Sequence, residues 1–266
     1  MSRTTKISVL AFLVHFAAAS VVFGQAAVAE KKAAKGAKSE TPAFPESTPG
    51  VGPLRYEAGF VKLWHDRRGL FAEKKAEQRN AVVFLGDSIT QGWKEDFRGK
   101  FKDSGLKLAN RGISGDTTRG ILARLDEDVL ALDPRGVVLL IGTNDLTRGV
   151  APKDIVGNIK LILDRLTAHD AQMPIVLCKV MPSSASKARP ADKIREINEQ
   201  LGKLAKGYKQ VTVLETYTLF ANDAGDAKPE EFPDLLHPNN IGYDKWHDAM
   251  MPVLEKAGLV EDGKRR

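Results

Sequence analysis

The feature that most constrains this chain is an alternation that begins near residue 81 and runs almost to its end. Short, continuous apolar runs, AVVFLG (81–86), GVVLLIG (136–142) and PIVLCKV (174–180), alternate with longer segments whose apolar residues recur every three or four positions. Two weaker runs, LKLAN (106–110) and VTVLE (211–215), complete five candidate strands. A run that is apolar at every position fits a strand covered on both faces, the condition inside a parallel sheet. Ile121, Leu122, Leu125 and Val129 mark a helix over 117–131 that Thr117 or Asp116 would cap. Ile155, Ile159, Ile162, Leu163 and Leu166 mark another over 153–168, and Ile194, Ile197, Leu201 and Leu204 a third over 191–206. A last helix is expected over 241–256. Strands joined by helices predict an α/β fold, a three-layer α/β/α sandwich with a five-stranded, mainly parallel sheet. The span 53–260 suits one domain.

The N-terminus stands outside this pattern. Arg3 and Lys6 precede an apolar run over 7–24, and Ala27-Val28-Ala29 fits a small-x-small cleavage site. Residues 1–29 therefore read as a secretory signal peptide. The alternative is a retained anchor, since about 18 apolar residues just reach across a bilayer. Cleavage predicts a periplasmic or secreted protein with no stable membrane insertion. Residues 30–52, rich in Lys, Ala, Pro, Ser and Gly, read as a flexible linker, and 261–266 as a basic tail. Of the net charge of +6, +2 lies in residues 1–29, +1 in residues 30–52 and +3 in Lys264, Arg265 and Arg266, so the rest of the chain is close to neutral. A neutral body argues against nucleic acid as a partner. The single cysteine, Cys178, excludes an intramolecular disulfide and sits in a strand-like run, where a packed thiol is expected. Nothing in the sequence sets an oligomeric state.

In an open parallel sheet, ligands sit beyond the C-terminal ends of the strands. Four loops in such places carry groups that donate, accept or transfer protons. They are Gly86-Asp87-Ser88-Ile89-Thr90, Asn110 to Asp116, Gly142-Thr143-Asn144-Asp145, and Pro233-Asp234-Leu235-Leu236-His237-Pro238. In order, these blocks resemble those of the SGNH hydrolases, also called GDSL esterases and lipases: the GDS, the glycine block, the GxND and the DxxH. The wording FLGDSIT, NRGISGDTT, IGTND and DLLHPNNIGY is most similar to the platelet-activating-factor acetylhydrolase-like branch. The resemblance spans Ser88 to His237 and implies a flavodoxin-like hydrolase fold and a serine esterase that needs no cofactor. Its substrate would be a small-molecule or polysaccharide ester, with acetyl first among acyl groups, on carbohydrate or short-acyl lipid. The family also includes lysophospholipases and thioesterases.

The chemistry of the residue types agrees. A serine hydroxyl needs an adjacent base, and the base needs an orienting group. Ser88 would be the nucleophile, although a serine at a strand-to-helix junction also suits a helix cap. Of the five histidines, only His237 lies in a loop after the last strand, with a carboxylate, Asp234, three residues earlier. A tight turn would let Asp234 reach its far nitrogen, and the Asp contribution should be the softer of the triad. The resemblance assigns the oxyanion donors to the N–H of Ser88, the N–H of Gly115 and the amide of Asn144. Ser114 is a decoy beside Gly115, and Asp87, Asp116, Thr143 and Asp145 are expected to hold loops through backbone hydrogen bonds. HExxH, CxxC, EF-hand and GxxxxGK[ST] patterns are missing, so no metal or phosphate site is expected. The G-x-S-x-G elbow of the α/β-hydrolases is missing too. Two rivals remain: a carbohydrate- or lipid-binding module without turnover, and a flavodoxin-like nucleotide binder, whose phosphate Asp87 would repel.

Overall fold

The computed structural model describes residue 44, residues 47–102 and residues 104–260. The signal-peptide and basic-tail readings, and most of the linker reading, fall outside those residues. Five strands form the sheet: β1 Val82–Gly86, β2 Leu108–Gly112, β3 Gly136–Leu140, β4 Ile175–Cys178 and β5 Val211–Leu214. Their order is β2-β1-β3-β4-β5 and every pairing is parallel. The helices are α1 Ala58–Glu73, α2 Ser88–Gln91, α3 Thr118–Asp128, α4 Thr143–Leu146, α5 Pro152–His169, α6 Ala191–Ala205, α7 Thr216–Phe220 and α8 Asn240–Lys256.

Alternate residues along the strands supply two cores. Val83, Leu85, Val137, Leu139, Ile175 and Leu177 face α3, α5 and α6, whose Leu125, Ile159 and Ile197 are fully buried. Val82, Phe84, Val138, Leu140, Val176 and Cys178 face the other way, against Tyr243, Trp246, Met250 and Leu254 of α8. This second core is aromatic: Trp93 packs on Phe84, Phe101, Tyr243 and Trp246 at centroid distances of 4.6 to 6.3 Å. Such pairs add about 0.5–1.5 kcal/mol each beyond area burial. Cys178 is buried here, and burial pushes its thiol up to about 12. Among the described residues, no helix is long and apolar enough to cross a membrane.

Of the boundaries that differ from the sequence expectation, two bear on the site and its surroundings, while α3 simply ends at Asp128 rather than at 131. β2 runs over Leu108–Gly112 rather than 106–110. Its end is polar yet buried. Arg111 donates Nε to Asp128 O at 2.8 Å and lies 4.6 Å from the Phe71 ring, and Asn110 accepts from Gly112 N and donates to Thr90 O. Apolar patterning cannot see a strand end satisfied by hydrogen bonds. The linker reading of 30–52 also ran too far, because its last residues are packed. Asn158 of α5 accepts from Val51 N and donates to Val51 O, both at 2.8 Å, and Arg119 donates to Gly52 O and Thr48 O. Phe44 is buried beside Trp64 of α1.

Candidate active site

Strand order reverses direction between β1 and β3, so the loops after these two strands open a crevice at the carboxyl edge. At the end of β1, Asp87 caps α2 by accepting from Ile89 N at 3.0 Å, which sets Ser88 as the first helical residue. The cap reading thus belongs to Asp87 and leaves the Ser88 hydroxyl available. Beyond β5 and α7, the segment Asp234 to His237 turns tightly, with Leu235 at φ 60° in the left-handed region. That conformation costs a non-glycine residue about 1–2 kcal/mol. Here Ser183 Oγ–H donates to Leu235 O at 2.7 Å and Leu235 N donates to Phe232 O at 2.8 Å, which hold the turn.

The turn brings three sequence-distant groups into line. Ser88 Oγ lies 2.9 Å from His237 Nε2, and His237 Nδ1 lies 2.7 Å from Asp234 Oδ2. Asp234 Oδ1 also accepts from the N–H groups of His237 (2.7 Å) and Leu236 (3.1 Å). Partial burial raises the Asp234 carboxyl, but these donors and the imidazole outweigh it and bring it down to about 2. The carboxylate is therefore charged throughout the neutral range. The other described histidines lie elsewhere: His65 beside Trp64, His169 at 3.4 Å from Asp133, and His247 at 3.0 Å from Asp248.

The second part of the site lies deeper. Gly115 sits at φ +78°, in the left-handed region where a side chain would be strained, and a Cβ there would also displace the Arg55 guanidinium, whose Nη1 would stand 2.1 Å away. Arg55 donates to Gly115 O at 3.0 Å and ties residue 55 to the glycine block. Among the described residues, neither the N–H of Ser88 nor that of Gly115 meets a hydrogen-bond acceptor. Asn144 stands on α4, whose N-cap Gly142 takes φ 122°. Its Nδ2 donates to Asp116 O at 3.0 Å and reaches Asp87 Oδ2 at a longer 3.3 Å. The longer contact is the one that a reacting oxygen would replace most easily.

Beneath lie three buried carboxylates. Burial pushes Asp87 and Asp145 up to about 7. Asp116 is also pushed up by burial, against the opposing pull of Arg124, whose Nε donates to Asp116 Oδ2 at 2.8 Å. As expected, all three accept from backbone N–H groups, of Ile89, Thr117 and Thr118. Thr143 departs from that expectation. Its buried Oγ1 has no partner among the described residues. Thr117, not Asp116, caps α3, by accepting from Gly120 N at 3.1 Å. Sequence reasoning missed Arg189, which reaches the site from the loop after β4. The one available signal was that this loop opens at the same sheet edge as the four motif blocks.

The chain is similar to known proteins in sequence and in fold. Residues 84–245 match the model of the GDSL-like Lipase/Acylhydrolase family. The platelet-activating factor acetylhydrolase IB subunit alpha1 of Bos taurus is 27% identical over 208 residues, which cover 76% of this chain and 86% of that protein. The alpha2 subunit from Homo sapiens is 26% identical over 204 residues, covering 73% and 86%. A GDSL-like lipase from Bacteroides thetaiotaomicron superposes with a TM-score of 0.62 at 27% identity, covering 71% of this chain and 97% of that one.

Proposed function

Because this chain belongs to the GDSL-like lipase/acylhydrolase family and is an ester-hydrolysing enzyme, we propose that Ser88, His237 and Asp234 form its catalytic triad and that its substrates are short-acyl, above all acetyl, esters. The observation that carries the triad is the continuous contact from Ser88 Oγ through the imidazole to Asp234, at 2.9 and 2.7 Å. In this reading Ser88 Oγ attacks the ester carbonyl and its proton passes to His237 Nε2. Asp234 holds the Nδ1 proton and stabilises the imidazolium. The N–H groups of Ser88 and Gly115, with the Asn144 amide, receive the charge on the tetrahedral oxygen. The imidazolium then gives its proton to the leaving alcohol. Water, deprotonated by the same imidazole, releases the acid and returns the hydrogen to Ser88.

The acetyl preference is supported by the relatives named as acetylhydrolases of platelet-activating factor, and that name favours a short-acyl lipid over an acetylated polysaccharide. Export to the periplasm or beyond is proposed on the signal-like residues 1–29 alone. The test is hydrolysis of p-nitrophenyl acetate, butyrate and octanoate by the full chain and by Ser88→Ala. Turnover highest on acetate and lost in Ser88→Ala is expected. Preference for octanoate would replace the acetyl reading with a longer-chain lipase or lysophospholipase. Absence of Ser88-dependent turnover on all three would overturn the general-esterase reading and leave a narrow natural substrate or a non-catalytic binding module to test.

A further inference from the structure

Arg189 lies outside all four motif blocks, between β4 and α6, yet its guanidinium is buried against the block that contains Asn144. Its three nitrogens each find a different acceptor. Nε donates to Thr143 O at 3.1 Å, Nη2 to Asn144 Oδ1 at 3.0 Å, and Nη1 to Lys187 O at 2.8 Å. Burial lowers its pKa, while the nearby charges of Asp87 and Asp234 oppose that shift. A guanidinium remains charged even so.

Resting on the triad reading above, we propose that Arg189 is a positioning residue for the oxyanion site, acting through the Asn144 amide. A carboxamide has two orientations that differ only by exchange of its oxygen and nitrogen. A donor at one end and an acceptor at the other select the same orientation: Arg189 Nη2 donates to Oδ1, and Asp116 O takes the amino group. The amino group is thereby turned towards Asp116 O and Asp87 Oδ2, on the Ser88 side of the crevice. Nε on Thr143 O clamps the adjacent main chain with the same rigid fork, so the side chain and its backbone move together. A hydrogen bond from a cation to the amide oxygen also draws electron density from the nitrogen, which strengthens the N–H donors. Lysine offers a point charge without the fork and cannot hold both acceptors in plane.

The experiment compares wild type, Arg189→Ala, Arg189→Lys, Asn144→Ala and the Arg189→Ala/Asn144→Ala double variant in steady-state hydrolysis of p-nitrophenyl acetate. Arg189→Ala should lower kcat roughly 10- to 100-fold, less than the 10²–10³ of a lost donor, with KM within about twofold. The double variant should be no slower than Asn144→Ala alone. Added guanidinium should restore part of the rate to Arg189→Ala but none to the double variant. Should Arg189→Ala fail to fold, Arg189→Lys carries the same cycle with Asn144→Ala. Losses that multiply in the double variant, or a raised KM at unchanged kcat, would overturn the assignment while leaving a Ser88-dependent esterase in place. Wild-type rates in Ser88→Ala would instead overturn the triad reading, and the Arg189 assignment with it.

Discussion

Two aspartates a short way apart in this site behave in opposite ways. Asp234 stands half-exposed on a surface turn, and two N–H donors and an imidazole hold it at about 2. Asp87 is fully buried beside Ser88, and loss of water raises it to about 7 despite the N–H of Ile89. Local donors decide the protonation of the Asp234–His237 turn, and desolvation decides that of the floor formed by the buried carboxylates Asp87, Asp116 and Asp145. In the proposed reading, the Asp234–His237 turn is the charged, water-facing side that moves the proton. The floor is a packed polar network whose work is to fix positions.

The strongest test of that division is His237→Ala. The triad reading requires a loss of about 10⁴-fold or more in kcat/KM on p-nitrophenyl acetate with little change in Tm, because the side chain is 43% exposed. A large drop in Tm would break the separation between chemistry and stability.

Arg124→Met tests the other side. Its side chain is fully buried between Asp116, Gly86 O and Arg111 O, so its loss strands a buried carboxylate. Denaturant unfolding should show a loss of about 3–5 kcal/mol. A loss below about 1 kcal/mol would mean that the floor does not depend on this pair.

Asp234→Ala should be about 100-fold milder than His237→Ala in kcat, since the orienting carboxylate contributes less than nucleophile or base. Equal losses would place Asp234 on a par with the base and contradict a supporting role.

A further effect is expected in the pH dependence of stability. Asp87 and Asp145 rise from 3.8 to about 7 on folding, so the native state binds more protons than the unfolded chain across that window. Their contribution is fully present below pH 3.8 and is lost as pH rises through about 7. Asp234, brought down from 3.8 to about 2, contributes above pH 3.8 and loses that contribution as pH falls towards 2. Asp87→Asn should therefore flatten the fall of Tm between pH 4 and 7, read by thermal unfolding across buffers. An unchanged slope would show that Asp87 is ionised in the native state.

The sequence by itself determined the layered α/β architecture, because periods of continuous apolar runs and 3.6-residue repeats report burial directly. All five strands stand within two residues of the expected bounds at each end, with β2 displaced as a whole by two, and so do three of the four longest helices after residue 80, whereas α3 ends at Asp128, three residues short of its expected end. The resemblance of the four sequence blocks to the SGNH hydrolases also singled out Ser88, Asp234, His237, Gly115 and Asn144 as candidates. Only tertiary structure decided what those residues touch. The Ser88–His237 contact joins positions 149 residues apart, and no local pattern encodes such a distance. The packing of 47–52 onto Asn158, the buried end of β2 and the guanidinium of Arg189 on Asn144 were invisible for the same reason. Each depends on a polar side chain meeting a partner remote in sequence. Periodicity records which residues avoid water, whereas hydrogen-bond partners exist only once the chain has folded.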